Sequence, residues 1–264
     1  MTNDISGEAK AAIDAVLIAC KKLKSNFGNV VVDKKKTKSA ADVVTKLDLE
    51  TEKFLFEDLK KRYPYIGFKG EETGSINISS GKFWLVDPID GSAYFIRGVA
   101  GCTTILALID GGIVKIGIIY DFVNNALYFA ERGKGAYLNN NPIRVSDRNP
   151  EDSFISVECN INDEVLQQFL ELKRRYDVIG AGYPSGSQHA MVACGQLEGR
   201  ICLNAYGKDY DFAAGSLLIQ EAGGVVANLG KTTYDYTDVN FLAANKKLFE
   251  SLTSGENPIF PIKE

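Results

Sequence analysis

Histidine is nearly missing from this chain of 264 residues: His189 stands alone, beside one tryptophan, two methionines and seven prolines. A single imidazole leaves little for zinc, which prefers nitrogen and sulfur ligands. Cysteine does not fill the gap. Cys20, Cys102, Cys159, Cys194 and Cys202 are odd in number, lie in apolar contexts and form no CxxC pair, so they read as buried free thiols. A disulfide stays open, because intracellular proteins of hyperthermophiles contain them. Long apolar runs are absent as well: stretches such as TTILALI fall far short of the roughly 20 residues that span a bilayer. The first apolar run, AAIDAVLIAC, carries Asp14 and follows an acidic, polar start, unlike a signal peptide. Positive charge is not in excess either. The formal net charge of −4 argues against nucleic acid or an anionic membrane as the main partner, and for a cytoplasmic protein that binds small molecules.

What remains is ordinary globular material, 45% hydrophobic and 24% charged, with no Gly/Ser-rich or Pro-rich linker. The length allows one large domain or two intimately packed ones. Residues 8–25 space Ala12, Ala15, Val16, Ala19, Cys20 and Leu23 as one face of a helix that Gly28 stops. A second helix is expected from about Asp48 to Arg62. From Ile66 onward come short β-type runs (IGFKG, FWLVD, TTILALID, GIVKIGIIYD, ALYFAERG, GAYLN), with DGG and VNN as hairpin signals, so an antiparallel sheet is predicted. After about residue 150 strands (FISVEC, VIGAG, RICLN, VVANL, FLAAN) alternate with helical patterns at 162–175, 186–198, 211–222 and 246–253. We therefore divide the chain into an N-terminal α+β half, 1–150, and a C-terminal layered α/β half, 151–264.

Chemistry concentrates where acidic residues abut strand ends. In WLVDPIDGS, Pro88 biases Asp87 to extended geometry, so the strand should stop at Asp87 with Asp90 one turn on and the Ile89 carbonyl between them. If AYFIR begins a helix, the N–H groups of Gly91 and Ser92 point outward at its positive end, where a phosphate fits. KGEETG sets Glu71 and Glu72 after a strand, ADVVTKLDLE places Asp42, Thr45 and Asp48 ahead of a helix, and KDYDFAAGSLLIQEAGG opens a helix with Asp211. Each has a plain structural account: a solvated loop for the glutamates, an N-cap for Asp48 and for Asp211. If Glu71, Asp87, Asp90 and Asp211 converge, however, their mutual repulsion is large. Two unit charges at about 4 Å repel by roughly 4 kcal/mol even at an effective dielectric of 20. Divalent cations resolve that, and all-oxygen ligation selects Mg²⁺, Mn²⁺ or Ca²⁺ over zinc. His189, in SGSQHAMVACG, reads as helix surface or ordinary core.

DVVTKLD, GEE, WLVDPIDGS and DYDFAAGSLLIQEAGG, in the order and spacing found here, resemble the inositol monophosphatase family, within the lithium-sensitive, Mg²⁺-dependent sugar phosphatases. The resemblance covers essentially the whole chain and implies a layered αβαβα sandwich. It makes Glu71, Asp87 and the Ile89 carbonyl ligands of one Mg²⁺, and Asp87, Asp90 and Asp211 ligands of a second; a third, weaker metal near Glu71 is also implied, and Mn²⁺ can substitute. Asp48 corresponds to the acidic partner of Ser92, and with Glu71 these two form the implied catalytic group that directs a water at phosphorus. Gly91 and Ser92 hold the phosphate. Asp90, Gly186, Ser187, Gln188, Asn204, Tyr206, Lys208 and Asp211 are the substrate-side residues, and a homodimer is implied.

Four departures stand out. Ser92 replaces the usual threonine, Tyr94 and Tyr210 replace the usual asparagine and tryptophan, and Asn204 stands where inositol enzymes carry an acidic residue. Asn204 can still hydrogen-bond a ring hydroxyl, but without charge assistance. Tyr206 and Lys208 could reach a second phosphate, or be plain surface residues. The expected activity is Mg²⁺-dependent hydrolysis of inositol 1-phosphate, with fructose 1,6-bisphosphate as a second substrate. The alternatives are a phosphatase of 3′-phosphoadenosine 5′-phosphate or NADP, and a non-catalytic interaction protein on a phosphatase scaffold.

Overall fold

The computed structural model describes residues 5–30, 34–35, 43–179 and 182–263. Helix α1 (Gly7–Asn26) starts where the Ser6 side chain accepts from the Ala9 amide, and it buries Ala9, Ala12, Ile13, Val16 and Leu23 on one face. Gly28, just beyond its end, takes φ +74°, the left-handed conformation that stops a helix most readily at glycine. Two short strands, β1 (Lys34–Lys35) and β2 (Val43–Val44), pair antiparallel ahead of α2 (Lys46–Arg62). Asp48 does not cap α2. Thr45 is the cap, and Asp48, three residues on, accepts a hydrogen bond from the Thr45 amide, a reciprocal capping box.

The next stretch contains β3 (Gly67–Gly70), β4 (Gly74–Ile76), β5 (Lys82–Asp90), the short helix α3 (Ser92–Phe95), β6 (Thr103–Asp110), β7 (Ile113–Asp121), β8 (Ala126–Glu131), β9 (Ala136–Leu138) and β10 (Asn141–Pro142). These strands form an eight-stranded sheet in the order β10-β9-β8-β7-β6-β5-β3-β4. It is antiparallel as predicted, except that β3 runs parallel to β5. The DGG signal is a two-residue turn: Gly111 and Gly112 both have positive φ, as a hairpin twisted like its strands requires. One expectation changes. β5 does not stop at Asp87; its pairing with β6 slips over Pro88, which has no N–H to give, and resumes at Asp90 opposite Thr103.

The remaining elements are β11 (Phe154–Cys159), α4 (Asp163–Arg175), β12 (Asp177–Ile179), α5 (Ser185–Ala193), β13 (Gly199–Leu203), α6 (Asp209–Glu221), β14 (Val225–Asn228), β15 (Phe241–Ala244) and α7 (Lys246–Thr253). The strands form a second, mixed sheet, β12-β11-β13-β15-β14, in which β11 runs parallel to β12 and β13. α5 is shorter than predicted, because Gly195 at φ +69° ends it just after Cys194. The predicted strand VIGAG is seen over Asp177–Ile179, and its next two residues lie outside the described residues.

Three apolar clusters stack these elements into five layers. One joins α1 and α2 to the outer face of the large sheet. The second fills the space between the sheets with α5 and α6, through Val192, Phe212, Ala213, Leu217 and Leu218. The third seats Val165 and Leu172 of α4 and Leu248 and Leu252 of α7 on the far face of the small sheet. The result is the expected αβαβα sandwich. Its middle layer is close-packed: a Cβ on Gly117 of β7 would come within 2.5 Å of the Ala214 carbonyl of α6. His189 is fully buried there, stacked on Phe241. All five cysteines are free, with Cys20, Cys102 and Cys202 buried.

Candidate metal centre

The carboxyl end of β5 meets the amino ends of α5 and α6. At that junction Asp87, Asp90 and Asp211 each offer an oxygen, and the three oxygens lie within 4.8 Å of one another. Asp87 and Asp90 are 2% and 5% exposed. Burial, followed by the charges of Glu71, Asp211 and Asp90, holds the Asp87 carboxyl well above the usual range, and Glu71 also hydrogen-bonds it. Burial, then Asp90, does the same to Asp211. Asp90 rises to about 6, again by burial, although several hydrogen bonds resist the shift. Those bonds come from the Gly186 amide (2.7 Å), the Thr103 hydroxyl (2.9 Å) and the Ser185 amide (3.0 Å). Asp90 thus caps α5 while facing the cluster. The Asp211 carboxylate accepts from its own capping amide, Lys208 N, at 2.6 Å.

A set of oxygen donors this crowded and this short of neutralising charge suits a hard divalent cation such as Mg²⁺ or Mn²⁺. Asp87, Asp90 and Asp211 would hold it, and Glu71 with the Ile89 carbonyl stands at the same strand end.

Beside the carboxylates, the Ser92 hydroxyl lies 2.7 Å from Asp48 Oδ1 and 3.0 Å from the Ile89 carbonyl. Asp48 is fully buried, and its Oδ2 accepts from the Thr45 amide (2.8 Å) and hydroxyl (2.6 Å). Burial lifts its pKa above the ordinary range, against the pull of Ser92 and Thr45. Gly91 takes φ +86°, and a Cβ there would strike Pro184, so only glycine fits this turn. Tyr94 N and Phe95 N donate back to the Gly91 carbonyl at 2.8 and 3.0 Å, which makes α3 start at Ser92 as expected.

One residue escaped the sequence reading. Glu52, fully buried on α2 one turn beyond Asp48, accepts from the Thr73 amide (2.7 Å), the Thr73 hydroxyl (2.5 Å) and the Glu72 amide (2.9 Å). Its carboxyl occupies the space a Cβ on Gly70 would need. It therefore shapes the turn that carries Glu71. The signal was present: a glutamate four residues after Asp48 lies on the same helical face.

The substrate-side residues fall into two groups. Gly186, Ser187 and Gln188 are buried in the first turn of α5, where Gly186 N serves Asp90, the Ser187 hydroxyl donates to the Gly101 carbonyl (2.5 Å) and Gln188 donates to the Tyr183 carbonyl. Tyr206, 66% exposed, and Lys208, also exposed, stand on the loop before α6. Asn204 takes φ +51° and lines a surface cleft with Asn162, Leu203, Lys231, Asn240 and Lys263, outside the carboxylate cluster. Tyr210 faces the acids: burial, then Glu71, Asp211 and Asp87, raise its pKa. Tyr94 donates to the Gly182 carbonyl at 2.7 Å. Asp42 lies outside the described residues.

A sequence model of the inositol monophosphatase family matches residues 4–256. The chain is 32% identical over 225 residues to a protein of Solanum lycopersicum named inositol monophosphatase 1, covering 81% of this chain and 82% of that protein. It is also 32% identical over 207 residues to a Xylella fastidiosa protein named Nus factor SuhB, covering 72% and 70% respectively. The crystal structure of extragenic suppressor protein suhB from Bartonella henselae superposes with a TM-score of 0.82 at 30% identity, covering 92% of this chain and 95% of that one. With the family model spanning nearly the whole sequence and the layered fold shared, the chain belongs to the inositol monophosphatase family and is a phosphatase.

Proposed function

We propose that this phosphatase is Mg²⁺-dependent, that inositol 1-phosphate is its main substrate and that fructose 1,6-bisphosphate is a second one. The observation that carries the reading is the trio of Asp87, Asp90 and Asp211 oxygens within 4.8 Å, next to a serine hydroxyl held by a buried aspartate. Phosphate monoester hydrolysis is extremely slow unaided and offers little covalent chemistry to exploit, so positioning and charge must do most of the work. A divalent cation, when bound, offsets the carboxylates, acidifies a water and draws off the charge that develops on the leaving oxygen. The protein's own share is orientation. Ser92 donates its hydroxyl hydrogen bond to Asp48, which leaves the oxygen's lone pairs to accept from an attacking water and aim it. Glu71 is the second acceptor for that water, on a turn that Glu52 fixes. Gly91 and Ser92 present N–H groups to the phosphate oxygens, since the first amides of α3 have no partner within the helix. Tyr206 and Lys208 border the space where the rest of the ester lies, and Lys208 supports the bisphosphate as a second substrate. Asn204, which lines a separate cleft, is left out of the substrate assignment.

The test is phosphate release from inositol 1-phosphate, fructose 1,6-bisphosphate, 3′-phosphoadenosine 5′-phosphate and NADP, each with and without Mg²⁺. Release should vanish with chelator and in Asp87→Asn; activity undiminished by either would sink the mechanism. A preference for either nucleotide would replace the substrate assignment. The relative named Nus factor SuhB motivates a second reading, an interaction role on the same scaffold. Retention of mutually repelling buried carboxylates weighs against it, and calorimetry showing no Mg²⁺ binding would revive it.

A further inference from the structure

Arg200 is an unexpected residue for the middle of a sheet. It lies on β13, fully buried, beneath the junction that carries Asp90 and Asp211. Its Nη2 meets Glu158 Oε2 of β11 at 2.5 Å and the Ser185 hydroxyl at 3.2 Å, and its guanidinium packs over the Phe212 ring at 5.7 Å. Nε and Nη1 have no partner among the described residues. As a source of stability the arrangement is poor, because burying two charges costs about as much as their attraction returns, and apolar residues of similar size often do as well.

Each end of the pair, however, reaches backbone that apolar side chains could not hold. Glu158 Oε1 accepts from the Gly207 amide at 3.0 Å, in the loop that presents Tyr206 and Lys208. The Ser185 hydroxyl, which accepts from Arg200, donates to the Asp211 carbonyl at 3.0 Å, and the Ser185 amide donates to Asp90 Oδ1 at 3.0 Å. Gly207 has no room for a Cβ, which would press on the Phe212 ring and lie 3.1 Å from Asp211 Oδ2. One largely buried ion pair therefore connects the loop before α6, the start of α6 and the start of α5. The charge of Arg200 is also felt at Asp90 and Asp211.

We propose that Arg200 and Glu158 form a positioning pair: through Gly207 and Ser185 they lock the 204–208 loop to the Asp90 and Asp211 carboxylates, and so set how the leaving group of the phosphate ester is held. This rests on the phosphatase reading above. Neither residue touches substrate. Their part is to keep the loop and the carboxylates in one register while a phosphate ester binds.

A double substitution separates positioning from packing. In Arg200→Met/Glu158→Leu the core keeps its volume and loses both charges, so thermal stability should stay within a few degrees of wild type. Hydrogen exchange of the amides of 185–187 and 204–208 should nevertheless quicken by about tenfold or more. With inositol 1-phosphate and Mg²⁺, KM should rise by about tenfold while kcat changes by less than about threefold, the pattern of lost binding rather than lost chemistry. Wild-type exchange and wild-type KM in a folded double variant would overturn the proposal. Should that variant fail to fold, Glu158→Gln leaves one acceptor oxygen for the two donors, Arg200 Nη2 and Gly207 N, so one of the two links is lost; it should show the same rise in KM, and an unchanged KM there would equally overturn it. If wild type hydrolyses none of the four esters, the phosphatase reading fails by itself, and the exchange of 204–208 still decides the positioning role.

Discussion

Ser92 has only one proton, and its position relative to Asp48 decides what the hydroxyl can do. At 2.7 Å from a fully buried carboxylate it is held as a donor, so a water in front of it meets lone pairs. Ser92→Ala should therefore lower kcat by about 10²- to 10⁴-fold, the usual range for a positioned proton-transfer group. Ser92→Thr should keep the activity, because the added methyl only restricts χ1. Both follow from steady-state phosphate release at saturating Mg²⁺. The carboxylates make a separate prediction for protein kept in chelator. Asp90 titrates at about 6, above its ordinary 3.8, so the folded state holds a proton that the unfolded state releases. That contribution to stability is fully present below about 3.8 and is lost as pH rises through about 6. The melting temperature of wild type relative to Asp90→Asn should fall between pH 4 and pH 7. A difference that rises over this interval would contradict the assignment, and adding Mg²⁺ at pH 7 should recover wild type but not the variant.

At the scale of elements, α2 is more than a cover for the large sheet. It presents Asp48 to Ser92 and, one turn on, Glu52 to the turn bearing Glu71, so one helix sets both groups assigned to the attacking water. Glu52→Gln removes one acceptor from a site serving three donors. It should weaken Mg²⁺ binding or kcat/KM by about 10- to 100-fold, as changes to groups that orient metal ligands do, with calorimetry and phosphate release as the checks. The contact of α6 with β7 makes a packing prediction. Gly117→Ala would drive a methyl against the Ala214 carbonyl, so urea unfolding should show a loss of about 1–3 kcal/mol. Most elements were legible in the sequence, because α1, α2 and α4 carry a helical apolar period and β6 to β8 are bounded by glycine and asparagine turns. The misses have local causes: Gly195 ends α5 early, Thr45 takes the cap expected of Asp48, and β5 continues past a proline because β6 tolerates a slip in register.

At the scale of the whole molecule, the middle layer belongs to both sheets. Phe212, Leu217 and Leu218 of α6 pack with Phe83, Leu85 and Ile105 of the large sheet and with Cys202, Phe241 and Ala243 of the small one. The halves proposed as 1–150 and 151–264 therefore share a core, and calorimetry should record one unfolding transition; two separated transitions would mean that each half holds itself. The chain's own chemistry, read along its length, determined the periodicities, the hard oxygen ligands at strand ends, the near absence of nitrogen and sulfur ligands, and the family. Those properties are local or compositional, and they survive without coordinates. The resemblance named the acids, but only the tertiary structure brings them within 4.8 Å, because Asp87 and Asp211 come together through the packing of α6 on the sheet and no short-range pattern encodes that distance. The same packing set Glu52 behind the turn of Glu71 and Arg200 beneath the start of α5, buried Gly186, Ser187 and Gln188 in the first turn of α5, and turned Asn204 toward a different cleft. A side chain's type can be read from its letter, but its neighbours across the fold depend on how the layers stack.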